Sequence, residues 1–224
     1  GLAMRIRMRK RIGNFRPCAF RRQTGTDTEV FRMKHGGNVW ERGKPEEWLD
    51  FSANLRPEGP PEWVKETILA GLGEIQYYPD RSLQTAKAGL SAWLGIPEEN
   101  ILPTSGGIAA IDLVLGRRSG RVITREVTFG EYAERALRHG REICGEDTLP
   151  EPNDTVVLCN PNNPTGEAMD REAVLKLHQK AETRGAELLV DEAFIDFCPE
   201  NSVRGEICET LTVVGSLTKL LGIP

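Results

Sequence analysis

The chain has 224 residues, 39% of them hydrophobic, with a net charge of −4 and a pI of about 5.6. This size allows one large domain or two small ones, and the apolar content is enough for a core. The balance gives no reason to expect nucleic-acid binding, and without a run of 18 apolar residues there is no membrane span.

The charge is unevenly spread. Residues 1–32 carry nine Lys/Arg against Asp27 and Glu29, a net of +7, which leaves −11 for the rest. This head has little apolar periodicity and reads as disordered. It is expected to be a non-native or upstream-translated extension, with a transit peptide or an RNA-binding arm as alternatives. Met33, followed by KHGGN, looks like a natural start. Five cysteines show no CxxC pair and follow no secretory signal, which points to a reduced, cytoplasmic protein. The three histidines are far apart and lack metal-ligand spacing, and His178 reads as a helix-face residue four places after Val174. No metal is expected.

Beyond residue 33 the elements follow in order. DFSANLRPEGPPEW is a Pro-rich extended arm. Pro60-Pro61 start a helix to about Leu72, with Trp63, Thr67, Ile68 and Leu72 near one face. YYPDRS is a loop, and residues 82–94 form a second amphipathic helix closed by Gly95. ILPTSGG runs from a short strand through a Gly-rich turn into a helix from about Ile108 to Leu115. RVITR is a strand, and GEYAERALRHG is a helix ending at Gly140. TVVLCN is a buried strand. The next helix has Asp170 as N-cap and Gly185 as its C′ residue. ELLVDEAF and LTVVGS are two further strands. Continuous apolar strands separated by helices predict an α/β chain, a mostly parallel sheet covered on both faces. The expected division is 1–32 as extension, 33–80 as arm and first helix, and 81–224 as the sheet domain.

In such sheets ligands collect at the carboxyl ends of the strands. That rule selects Ser105-Gly106-Gly107, Asn160 to Gly166, Asp191, and Ser216 to Lys219. Each has a bland reading by itself: a tight turn, a second turn, a cap or ion pair, and a solvated surface lysine. Each also has a chemical one. A Gly pair before a helix suits a phosphate. An Asn can reach a ligand oxygen, a buried carboxylate can face a cationic ring nitrogen, and a lysine beside hydroxyls can form an imine. Together they supply what pyridoxal phosphate needs: a phosphate cradle, a Schiff-base lysine, an acid opposite the ring nitrogen and a donor to the 3′ oxygen.

From about residue 33 onward the chain resembles a fold-type I pyridoxal-phosphate enzyme of the histidinol-phosphate aminotransferase group. NNPTG, VDEAF and SLTK match the group. KHGGN, DFSANLRPEGPP and DEAFIDF resemble its threonine-phosphate decarboxylase branch, which serves cobalamin biosynthesis. The resemblance implies a three-layer αβα large domain and a cytoplasmic enzyme, homodimeric at full length, acting on a small phosphorylated amino acid. The implied reaction is decarboxylation of L-threonine O-3-phosphate to (R)-1-amino-2-propanol O-2-phosphate, with histidinol-phosphate-type transamination as the alternative.

It also implies residue roles. Lys219 would carry the cofactor, Asp191 would hold the pyridinium proton, and Asn163 would bond the 3′ oxygen and lie against the substrate. Phe129 would stack on the ring. Gly106, Gly107, Ser216 and Thr218 would hold the cofactor phosphate, and Tyr78 would reach the phosphate of the neighbouring subunit. His35 and Asn54 would cover the substrate. Phe194 departs from the group, since many relatives place a tyrosine there. The resemblance further implies that an antiparallel strand, an arginine and a C-terminal small domain follow Lys219 in relatives. A chain ending at Pro224 is therefore expected to be incomplete and poorly active or inactive by itself.

Overall fold

The computed structural model describes residues 36–47 and 49–224, which belong to one compact unit. Its helices are α1 (Glu62–Gly71), α2 (Gln84–Leu94), α3 (Gly107–Leu115), α4 (Glu131–Arg138), α5 (Arg171–Glu182) and α6 (Thr218–Leu221). Its strands are β1 (Val122–Thr124), β2 (Ile143–Gly145), β3 (Thr155–Cys159), β4 (Glu187–Asp191) and β5 (Leu211–Val214).

All strand pairs are parallel, in the order β2-β1-β3-β4-β5. Residue parity sends Val156, Leu158, Leu188 and Val190 to one face, where they pack with Val174 and Ala181 of α5. Val157, Cys159 and Leu189 go to the other, against Ile111, Val114 and Leu115 of α3 and Tyr132 and Ala136 of α4. Both faces are thus covered, which explains why these strands are apolar without alternation. β1 and β3 lie side by side while the chain leaves β1 for β2, so strand order reverses between them and a crevice opens at their carboxyl ends.

Local chemistry fits the elements. The Asp170 carboxylate accepts from the Ala173 N–H at 2.7 Å and starts α5. Gly95 closes α2 in the left-handed conformation, φ +68°, where a Cβ would be strained. α5 ends at Glu182 with Thr183 as its cap, so Gly185 turns the chain one residue later than expected.

One expectation is corrected, and two features appear that the sequence did not signal. The segment 101–104 forms no strand, because no described strand lies beside it to share hydrogen bonds. Ile143–Gly145 is a strand that its sequence did not signal: three residues at a sheet edge are too short for a pattern. The apolar face of α1 is open, with Trp63, Ile68 and Leu72 all at least half exposed and only Val64 buried.

The opposite, amino-terminal edge of the sheet is held by charge. Glu187 is buried between Arg117 (3.0 Å) and Arg118 (3.1 Å) and accepts from the Thr155 hydroxyl. Arg141, also buried, donates to the carbonyls of Leu115, Gly120 and Arg121 and to Thr155. Asp154 accepts from the guanidinium and backbone N–H of Arg121 and from the Glu151 N–H. Burial pushes the Asp154 carboxyl up, but these donors outweigh it and hold it below the usual carboxylate range. Asp154→Ala should destabilise the chain by about 3 kcal/mol at neutral pH, because it removes the main partner of the Arg121 guanidinium and the acceptor of two backbone N–H groups. A depressed carboxyl contributes stability above its unfolded value of about 4 and loses it as pH falls through the folded one. Urea unfolding should therefore show a gap between wild type and variant at pH 7 that narrows at pH 3.

Candidate active site

The register of the parallel ladder lines up Cys159, Asp191 and Val214 at the carboxyl ends of β3, β4 and β5. Asp191 shares parity with Leu189, so its side chain turns to the α3/α4 face. There it is buried, and its Oδ2 accepts from the Tyr132 hydroxyl at 2.6 Å. Oδ1 accepts from the Ala193 N–H at 2.9 Å. Tyr132 has no exposed surface, and the Phe129 ring meets it edge-on at 5.6 Å and 83°. Burial pushes the Asp191 carboxyl above the usual range, while Tyr132, the Ala193 N–H and the charge of Lys219 pull it down. Burial, reinforced by the Asp191 charge, also pushes the neighbouring Cys159 thiol up to about 11. Cys159 is therefore a neutral wall beside the carboxylate.

The next residue has a different task. Glu192 points elsewhere, where it is fully buried and accepts from the Val203 N–H, the Ser202 hydroxyl and the Arg204 guanidinium. Of the two acids in VDEAF, one faces the site and the other pins the chain that returns to β5.

Lys219 lies in the first turn of α6, half-buried, with Nζ 6.0 Å from the centroid of the Phe194 ring. Just before it, the Ser216 and Thr218 hydroxyls are 2.9 Å apart, and the Thr218 N–H donates to Ser216 Oγ. Gly106 precedes α3 with φ +87°, and Gly107 comes within 4.0 Å of Val214 through an added Cβ. The amino end of α3 and the end of β5 therefore adjoin. Gly106, Gly107, Ser216 and Thr218 line one end of a cavity of about 640 Å³, whose other walls are mostly apolar, from Leu90 and Trp93 to Leu211. Asp191, Lys219, Asn163 and Phe129 lie outside that cavity's wall. The phosphate-type residues and the acid–lysine residues form two adjoining groups.

The NPNNPTG loop closes the crevice between β1 and β3. Asn162, buried, accepts from the Thr128 hydroxyl at 2.7 Å and donates to the Val127 carbonyl, which ties the loop to the turn carrying Phe129. The peptides Asn160-Pro161 and Asn163-Pro164 are cis. Asn163 is left half-buried, and its side-chain oxygen accepts from Asn54 at 3.4 Å. The Pro-rich arm is laid over α6: the Arg56 N–H donates to the Lys219 carbonyl at 3.2 Å, and a Cβ on Gly222 would come 2.8 Å from the Gly59 backbone.

The fold thus brings Asp191, Lys219, Phe129, Asn163 and Asn54 to one edge, with the Gly106–Gly107 and Ser216–Thr218 pairs beside them. Tyr78 is fully exposed and takes no part in the site's hydrogen bonds. His35 lies outside the described residues. Sequence reasoning missed Tyr132. Its signal was a tyrosine on the apolar face of a strongly polar helix, where a buried hydroxyl must find a partner.

Residues 46–224 match the family described as aminotransferase class I and II. The chain belongs to that family. It is 30% identical over 219 residues to threonine-phosphate decarboxylase of Salmonella typhimurium, covering 87% of this chain and 60% of that protein. It is 31% identical over 194 residues to histidinol-phosphate aminotransferase of Staphylococcus aureus, covering 78% and 52%. The chain therefore spans between half and two thirds of the length of these curated relatives. The crystal structure of histidinol-phosphate aminotransferase from Sinorhizobium meliloti, in complex with pyridoxal-5′-phosphate, superposes with a TM-score of 0.66 at 21% identity, covering 76% of this chain and 52% of that one. The five-stranded parallel sheet between helices is the large-domain fold of pyridoxal-phosphate-dependent transferases.

Tyr132→Phe keeps the ring and removes one donor from Asp191. The loss should destabilise the chain by about 1–3 kcal/mol at pH 7. Without that donor the folded carboxyl rises further, so the penalty belongs to the ionised form. It should shrink as pH falls and Asp191 is protonated, read as the difference in urea midpoint between wild type and variant at pH 7 and pH 4.

Proposed function

We propose that this chain is the cofactor-binding part of a pyridoxal-phosphate enzyme that decarboxylates L-threonine O-3-phosphate to (R)-1-amino-2-propanol O-2-phosphate, a reaction of cobalamin biosynthesis. The observation that carries the proposal is the buried Asp191, fixed by Tyr132 and acted on by the charge of Lys219. A carboxylate pushed up by burial is stabilised by a further cation, which a protonated ring nitrogen provides. The hydroxyl pair of Ser216 and Thr218 beside the amino end of α3 suits a phosphate. The residues present therefore fit the cofactor.

When bound, pyridoxal phosphate supplies an electron sink for the pair left by a broken bond at the substrate Cα. The chain's own residues would do the rest. Asp191, held in place by Tyr132 and the Ala193 N–H, would keep the proton on the ring nitrogen. Lys219 would hold the cofactor covalently and, when released by the substrate amine, move a proton at Cα. Asn163 would donate to the ring 3′ oxygen, and Phe129 would lie on the ring. Ser216, Thr218, Gly106 and Gly107 would bind the cofactor phosphate. Asn54, already bonded to Asn163, would help cover a substrate bearing its own phosphate, together with His35.

The decarboxylase reading draws on KHGGN, DFSANLRPEGPP and DEAFIDF and on the relative of that name. The 31% identity to a histidinol-phosphate aminotransferase favours a second reading, transamination of a phosphorylated amine at the same residues. The two readings share every residue above and differ in which Cα bond the bound substrate presents. A homodimer at full length is part of the proposal, supported by the open apolar face of α1 and the exposed Tyr78.

Two experiments test this. Adding pyridoxal phosphate should give the chain a visible absorption band that Lys219→Ala lacks. An identical band in both would remove Lys219 from the site. With L-threonine phosphate, the protein extended to the length of its relatives should release carbon dioxide and the amino-alcohol phosphate. A 2-oxo product without carbon dioxide would replace the decarboxylase reading with the aminotransferase one.

A further inference from the structure

The far end of β5 carries a second cluster that takes no part in the proposed reaction. His178 and Glu182 stand one turn apart on α5, so their side chains leave the same face of the helix. Cys208 comes from the turn that enters β5. Two backbone hydrogen bonds with Leu211, at 3.1 and 3.2 Å, close this turn, and its Thr210 hydroxyl donates to Glu182 at the end of α5. As a result an imidazole nitrogen, a carboxylate oxygen and a sulfur all lie within 4.8 Å of one another. The Cys208 sulfur is 3.9 Å from His178 Nε2. Thr210 Oγ1 sits among them, 2.9 Å from His178 Nε2, 3.5 Å from the sulfur, and donating to Glu182 Oε1 at 2.7 Å.

We propose that His178, Glu182 and Cys208 form a metal site of the zinc class that clips α5 to the entry of β5. Tetrahedral zinc with sulfur, nitrogen and oxygen ligands sets the ligand atoms about 3.3–3.6 Å apart. The Cys208–His178 pair is already close to that spacing. Glu182 and Cys208 are exposed, so small side-chain rotations complete the set, and water can take the fourth position. A thiolate and a carboxylate together balance the charge of a divalent ion. The mixed sulfur and imidazole donors select Zn²⁺ or Co²⁺ over Mg²⁺ and Ca²⁺, which take oxygen. Thr210 Oγ1 holds the three groups together in the metal-free cluster, and the entering ion replaces it at His178 Nε2 while Thr210 keeps its bond to Glu182. The site lies at the end of β5 opposite Lys219, so its role is structural and independent of the reaction.

The competing arrangement is a metal-free hydrogen-bond cluster centred on Thr210, and a Co²⁺ titration of the chain under a thiol-free reductant separates the two. One equivalent of Co²⁺ should produce a thiolate-to-cobalt charge-transfer band with tetrahedral ligand-field bands, and Zn²⁺ should displace it. The band should vanish in Cys208→Ser and persist in Cys198→Ser. His178→Ala should independently weaken Co²⁺ binding about tenfold or more, with circular dichroism reporting the fold of each variant. Zn²⁺ should raise the thermal midpoint of the chain and leave that of Cys208→Ser unmoved. A band that survives in Cys208→Ser, or a folded chain that gives none at all, overturns the proposal.

Discussion

Parallel strands in register deliver all their carboxyl ends to one edge, and this constraint governs the rest of the molecule. Cys159, Asp191 and Val214 are level with one another because β3, β4 and β5 share one ladder. Residue parity then decides which face each side chain takes. Asp191 lands on the α3/α4 face, where solvent cannot reach it. An ionised carboxylate there needs donors, and Tyr132 and the Ala193 N–H supply them. The polar chemistry of this edge follows from that need. The opposite edge meets the same need with Arg117, Arg118, Arg121 and Arg141 around Glu187 and Asp154.

The site depends on connections as much as on strands. Asn162 ties the loop after β3 to the turn after β1, which holds Phe129 against Tyr132, while the next residue, Asn163, accepts from Asn54. Glu192 anchors the return to β5 through Ser202, Val203 and Arg204. The arm then covers α6 through Arg56 and Gly59. The first two links each use a polar side chain that is buried and therefore obliged to find a partner. Residues that read as turn formers are thus the ones that set distances at the site.

Much of this was legible in the chain. Apolar runs such as VVLC in β3 and LLV in β4 are buried on both faces and leave few alternatives to a parallel sheet. Asp170 and Gly95 carry local turn and cap chemistry, so α5 starts and α2 ends where they should. Other features had no local signal. β2 exists because β1 offers it an edge, and 101–104 is not a strand because no described neighbour pairs with it. The apolar stripe on α1 was correctly read as a stripe, but periodicity cannot say whether anything covers it.

The sequence alone determined the fold class and the residue types at the strand ends, since hydrophobic runs, glycine turns and motif spacing act over short distances. Tertiary structure decided which of those residues meet. It joined Tyr132 to Asp191 across 59 positions and Asn54 to Asn163 across 109. It also brought Cys208 to His178, 30 residues away, although neither had metal-ligand spacing along the chain. Such meetings depend on strand order and parity, which are properties of the assembled sheet and not of any one segment.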